Sequence, residues 1–129
     1  MYLSSNGGFK KYRNLFSDPY GEDETEDRDH RFYEDGDDAG FFVLEHPGVW
    51  SCHYLCRSRG RAALTATRNV LREFFENEDA TLIYGLIKDE HRPAKILTRL
   101  VGFTSYGKVS YPEGDYELFI LFKKDFMNG

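Results

Sequence analysis

The 129-residue sequence contains no run of about 18 apolar residues, the length a membrane-crossing helix needs, so no membrane span is expected. Its start, Met1-Tyr2-Leu3-Ser4-Ser5, lacks the apolar stretch of a signal peptide, which points to a cytoplasmic protein. Cysteine is scarce: there are only Cys52 and Cys56. On an extended strand they would share one face roughly 13 Å apart, out of disulfide reach. They read as two buried thiols in a reducing compartment. Cys52, His53 and Cys56 have no second ligand pair downstream, so no zinc or other metal site is expected. Basic residues are in deficit, 17 Lys and Arg against 22 Asp and Glu, and form no stripe. Direct nucleic-acid binding is therefore not expected.

What is present is one domain's worth of chain, with 40% hydrophobic and 16% aromatic residues to supply a single modest core. The net charge of −5 is uneven, because positions 18–38 hold Asp18, Glu22, Asp23, Glu24, Glu26, Asp27, Asp29, Glu34, Asp35, Asp37 and Asp38. From Phe41 onward the charges nearly balance. This distribution suits a positively charged substrate or a basic protein partner.

Residues 1–28 read as an irregular, acidic N-terminal segment, with one short amphipathic turn through Phe9, Tyr12, Leu15 and Phe16. Residues 29–129 read as the folded domain. A short strand at His30–Tyr33 turns at Glu34–Asp38. Strands at Ala39–Glu45 and Val49–Cys56, joined by His46-Pro47-Gly48, form an antiparallel hairpin. From Ala62 to Asn77 the period becomes helical, with Ala63, Ala66, Val70 and Phe74 in one stripe. Ala80–Ile87 is a near-continuous apolar run and predicts a strand buried on both faces. A second helix spans Glu90–Val101, with Pro93 in its first turn, Gly102 as a left-handed stop and Phe103 folding back on it. Thr104–Tyr111 and Tyr116–Phe122 close the chain as a hairpin. The fold class expected is α/β, one domain with a mixed, mainly antiparallel central sheet flanked by helices.

The informative junction is strand, Arg/Gly loop, helix: CHYLCRSRGRAALTATRNVL. A helix start offers unpaired N–H groups and the positive end of its dipole, which together bind phosphate. Gly60 allows close backbone approach, Ala62 and Ala63 leave room, and Arg57, Arg59 and Arg61 add charge. A pyrophosphate fits this description. The plain alternative is an exposed arginine cluster ahead of an ordinary helix.

Here the sequence resembles the GNAT (Gcn5-related N-acetyltransferase) superfamily. The family's Arg/Gln-x-x-Gly-x-Gly/Ala loop is met by Arg57-Ser58-Arg59-Gly60-Arg61-Ala62, and a shifted register matches Arg59-Gly60-Arg61 to Arg-Gly-Lys/Arg. Downstream, the family's Asn-x-x-Ala followed by a helix ending in Gly-Phe is paralleled by His91-Arg92-Pro93-Ala94 and Gly102-Phe103 at the same spacing. Two positions depart from the pattern: His91 stands for the Asn, and Thr98 for a tyrosine that often serves as general acid. Compact GNAT-like proteins encoded by bacteriophages look similar in the HYL…RGRAAL…GF stretch, which adds the virion to the compartments expected.

The resemblance implies an acetyl-CoA-dependent N-acyltransferase acting on a protein lysine, an amino terminus or a small amine, with a homodimer left open. It implies cofactor contacts from Tyr54, Leu55 and Cys56 on the strand, from Arg57, Arg59, Gly60, Arg61, Ala62 and Ala63 in the loop, and from His91. His53 is the first candidate base, since an imidazole titrates near neutrality; Glu45 is the second. Tyr106 or Tyr84 is the candidate acid, and Cys56 a candidate acyl-carrying nucleophile. The alternative is a non-catalytic phage protein of this fold, a virion component or host-factor inhibitor that acts by protein–protein binding.

Overall fold

The computed structural model describes Tyr2, Leu3 and residues 29–128. The amphipathic turn expected at Phe9–Phe16 and the acidic run before Asp29 lie outside the described residues. Where the sequence suggests irregular structure, Tyr2–Leu3 (β1) pairs antiparallel with His30–Asp35 (β2). The chain turns at Gly36-Asp37 into Asp38–His46 (β3) and at Pro47-Gly48 into Val49–Leu55 (β4), each pair antiparallel. Gly60–Asn77 (α1) then crosses over to Leu82–Lys88 (β5), which lies parallel to β4. A parallel pair cannot be joined by a tight turn, so the helix is the connection. Arg92–Val101 (α2), Thr104–Tyr111 (β6), Gly114–Phe122 (β7) and Lys123–Asn128 (α3) complete the described chain.

The sheet runs β1-β2-β3-β4-β5-β7-β6, mixed and mainly antiparallel, in a single α/β domain. Side chains alternate across it. On the helix face Tyr33, Phe42, Trp50, Ile83 and Leu121 meet Val70, Leu71, Phe74 and Phe75 of α1 and Val101 of α2. Phe74 sits at the centre, stacked on Phe42 with centroids 4.0 Å apart and edge-on to Tyr33 and Trp50. Gly40 lets α1 lie this close: a Cβ there would meet Val70 Cγ1 at 2.9 Å. On the opposite face Phe32, Ala39, Phe41 and Val43 form a second cluster, with Leu55 beside it.

Gly102 ends α2 at φ 125°, its N–H reaching the carbonyls of Arg99 and Thr98, and Phe103 N–H closes onto Thr98 O at 3.2 Å. One expectation needs correction. Strand β5 is not buried on both faces: of Leu82–Lys88 only Ile83 is buried, because the strand loses its β4 neighbour halfway along. The short helix α3 carries too few residues for a periodic signal, yet Phe126 packs on Phe75 with centroids 5.7 Å apart.

Candidate functional site

Strands β4 and β5 pair only at Val49↔Leu82, Trp50↔Ile83 and Ser51↔Tyr84. Beyond that they diverge. Cys52 O is still close, 3.4 Å from where a Cβ on Gly85 would stand, but His53–Leu55 and Leu86–Lys88 have no pairing across the gap. Each strand remains paired on its outer side, β4 to β3 and β5 to β7. The result is a V-shaped notch whose inner backbone edge on β4 presents N–H and C=O groups to an incoming chain. Both strands point their C-terminal ends toward it, so the N-termini of α1 and α2 stand at the same end of the molecule, where α/β sheets bind ligands.

The loop from β4 to α1 enters that end. Arg59 is the N-cap of α1 and its side chain caps nothing; the first turn contains no acidic residue. A helix start normally attracts carboxylates. Here Arg59 and Arg61 flank it instead, both exposed and with no ion pair among the described residues. That arrangement repels cations and leaves several N–H groups for an anion. Gly60 has φ 61°, a left-handed conformation that favours glycine, and its Cβ position is open space. The turn is fixed from below by Asp38, a residue buried to 1% exposure. Asp38 Oδ1 accepts from Arg57 N at 2.7 Å and Ser58 N at 2.9 Å, and Oδ2 accepts from the Ser58 hydroxyl. The loop thus offers an anion a fixed backbone shape as well as positive charge.

No family model matches the sequence, and no curated protein matches it. Solved structures do. A point mutant of spermidine N-acetyltransferase SpeG from Vibrio cholerae aligns over 99% of this chain and 96% of its own, at TM-score 0.70 and 15% identity. The chain has the GNAT fold. The aminoglycoside acetyltransferase AAC(6')-Ib, solved with ribostamycin and coenzyme A, aligns over 70% of this chain at TM-score 0.59 and 17% identity. A GNAT-family acetyltransferase from Bacillus anthracis aligns over 67% at TM-score 0.58 and 14% identity. The present chain covers 59% and 58% of those two proteins, less than two thirds of their length.

Within this GNAT fold the two faces of β4 differ. Trp50, Cys52 and Tyr54 point to α1, whereas Ser51, His53 and Leu55 point to the opposite face. His53 lies two residues past the last paired position, with its ring 5.8 Å from Phe41. Tyr84, register partner of Ser51, shares its face and stands where the notch opens. Ser51 Oγ donates to Glu45 Oε1 at 3.2 Å, so Glu45 belongs to the same row, nearer the β3–β4 turn. Tyr54 turns its hydroxyl inward beside Thr67, and burial raises its pKa. Burial likewise pushes the Cys52 thiol up to about 12. Cys56, its thiol 3.9 Å from Asp38 Oδ2 and 3.4 Å from Ser58 O, is also raised, by partial burial and then by the Asp38 charge. Neither thiol is set up as a nucleophile, since both environments oppose the thiolate.

The remaining candidates separate. His91 caps α2, its Nδ1 accepting from Ala94 N at 3.3 Å. Thr98 spends its hydroxyl on Ala94 O at 2.7 Å. Tyr106 is 57% exposed on the edge strand β6. Three strand spacings, about 14 Å, separate β6 from β4, so Tyr106 is not brought together with His53. Among the described acids, Glu34 and Asp35 line a cleft against Asn69 and Glu73 of α1, Asp29 and Asp37 are exposed, and only Asp38 reaches the loop. Its role is the one sequence reasoning missed. Nothing in a run of eleven acids marks the single residue that the β2–β3 hairpin places beneath a loop 20 positions away.

Proposed function

We propose that this protein is an acetyl-CoA-dependent N-acyltransferase of the GNAT superfamily acting on an amine. The observation that carries the reading is the conjunction at one end of the sheet: a notch between β4 and β5 opening at Ser51↔Tyr84, and an uncapped, arginine-flanked helix start directly beyond it. Proteins of this fold are solved with coenzyme A and acetyl-CoA, which supports the same cofactor here. When bound, acetyl-CoA supplies the acyl thioester.

The chain's own residues divide the work. The N–H groups of Arg59 to Ala63, with the three arginines, neutralise the pyrophosphate. The β4 edge near His53 to Leu55, past its last pairing with β5, aligns the pantetheine arm and offers N–H groups to the thioester oxygen as it gains charge. His53, on the acceptor face two residues past the opening, takes the proton from the attacking amine. Tyr84 is the phenol on that face, and a leaving thiolate whose thiol has a pKa near 8.5 needs little acid assistance. Glu45, held by Ser51, orients the row rather than touching the amine. The acidic segment 18–38 attracts a cationic acceptor, in line with the polyamine and aminoglycoside named for proteins of this fold.

The test is calorimetry with acetyl-CoA followed by thiol release across a panel holding spermidine, an aminoglycoside, a lysine peptide and a free amino-terminal peptide. Binding with turnover of at least one amine is expected. No binding at millimolar cofactor refutes the reading, and binding without turnover leaves a cofactor-binding protein that lacks transferase activity.

A further inference from the structure

The three arginines and Gly60 do not by themselves shape the loop they sit in. Between Leu55 and Gly60 the backbone is neither strand nor helix, and a segment so rich in Arg and Ser has no apolar anchor of its own. What fixes it is Asp38. This carboxylate opens β3, next to the Ala39↔Leu55 pair that ends β4, and so lies under the point where the chain leaves the sheet. Its contacts are with consecutive residues: Arg57 N, Ser58 N, the Ser58 hydroxyl and the Cys56 thiol.

We propose that Asp38 is the positioning residue of the phosphate-binding loop: by taking up the Arg57 and Ser58 amides from below, it leaves the ligand-facing nest to begin at Arg59. The inference rests on reading that loop as the cofactor's, and it settles which arginines can contribute backbone to a phosphate. Arg57 contributes its side chain only, because its N–H is already committed; Arg59 and Arg61 contribute both.

The geometry makes a prediction opposite to plain electrostatics. A buried negative charge beneath a pyrophosphate site repels the ligand, so neutralising it should tighten binding if charge were all that mattered. If Asp38 instead holds the loop's shape, its removal weakens binding, since two amides lose their acceptors and the nest is no longer preorganised.

The experiment compares wild type, Asp38→Ala, Asp38→Asn and the exposed-charge control Asp37→Asn. Calorimetry measures coenzyme A affinity at a temperature where circular dichroism shows every variant folded. Limited trypsin digestion, without ligand, measures cleavage after Arg57, Arg59 and Arg61. Asp38→Ala is expected to lose about tenfold or more in affinity, the loss of a charged hydrogen-bond set, and to be cut about tenfold faster in the loop. Asp38→Asn keeps one acceptor oxygen and falls between, and Asp37→Asn matches wild type. Unchanged or tighter coenzyme A binding by Asp38→Ala, or unchanged loop cleavage, overturns the proposal. Wild type that fails to bind coenzyme A while Asp38→Ala still opens the loop to trypsin overturns the transferase reading and leaves Asp38 as the loop's anchor.

Discussion

Replacing Gly60 with alanine separates backbone shape from steric room at the head of α1. The glycine has φ 61°, and a Cβ built there meets no atom within 4 Å. The methyl group therefore brings no clash with the protein, and its whole effect is conformational. Holding an L-residue in the left-handed region costs roughly 1–2 kcal/mol. If the ligand-binding state needs that conformation, coenzyme A affinity falls by a factor of about 5–30. Asparagine tolerates the region better than alanine, so Gly60→Asn should recover part of the loss despite being larger. That reversal of the size order marks a backbone effect. Gly60→Asp adds a charge beside the pyrophosphate, and two unit charges 4 Å apart near a surface repel by about 4 kcal/mol before salt screening; its binding should vanish at low salt and recover slightly at high salt. Calorimetric titration of the four proteins, with helix content checked by circular dichroism, gives the comparison. Alanine binding coenzyme A within about twofold of glycine would refute the claim that the conformation is part of the site, and asparagine weaker than alanine would show bulk to be the cause.

The other predictions follow from the core and the titrating groups. Phe74→Ala removes the ring at the centre of the helix-face core and should cost about 3–5 kcal/mol in urea unfolding, whereas Phe74→Leu, which keeps apolar volume, should cost clearly less; equal losses would mean that apolar volume recovers nothing and that the ring stacked on Phe42 carries the whole effect. Cys52 and Cys56, both with raised pKa values, should react slowly with a thiol reagent at pH 8 in the folded protein and fast in urea, Cys52 being the slower; fast labelling of Cys52 in the native state would contradict its burial. Glu117 has its pKa lowered, first by Ser105 and then by Lys95 and Arg99. A depressed carboxyl stabilises the fold above its unfolded pKa and loses that effect as pH falls through the folded one. Thermal midpoints should therefore drop below about pH 4.5, and more shallowly in Glu117→Gln; identical profiles would remove Glu117 from the acid transition.

Much of the fold was legible because its signals are local. The helical stripe Ala63, Ala66, Val70, Phe74, the stop at Gly102-Phe103 and the turn at His46-Pro47-Gly48 each depend on residues close in sequence, and each appears where expected. The break between strand and helix around Arg57–Arg59 was legible for the same reason. What escaped is long-range. Alternation on β7 marks Tyr116, Leu118, Ile120 and Phe122 as one face, but the face that is buried carries Glu117, Phe119 and Leu121. Glu117 looks like a solvent-side residue until Lys95 and Arg99 of α2 are brought over it at 3.1 and 2.8 Å. Tyr106 and Tyr84 are equally plausible acids in one dimension. Only the strand order β4-β5-β7-β6 puts one beside the notch and the other three strands away.

That strand order also explains why the candidate anion site and the candidate chemistry share one end of the molecule. Because α1 is the crossover between two parallel strands, its N-terminus must follow directly from the C-terminal end of β4, the same end toward which β5 runs. Parting the pair after Ser51↔Tyr84 then frees backbone groups within a few residues of the helix start. The departure of β5 has a price in burial, visible in its mostly half-buried side chains and in Leu86 at 38% exposure. A strand so apolar would pair fully if stability alone governed it. Its partial pairing is a local conflict between sequence and packing, and such conflicts concentrate where a protein binds its ligand. The same logic sets the division at β4. Residues facing α1, such as Cys52 and Tyr54, are partly buried against the core in ways that oppose ionisation, while His53 on the other face stands past the last paired residue. Under the transferase reading proposed above, an amine would approach from that second face, where His53 follows the last paired residue and Tyr84 stands beside Ser51.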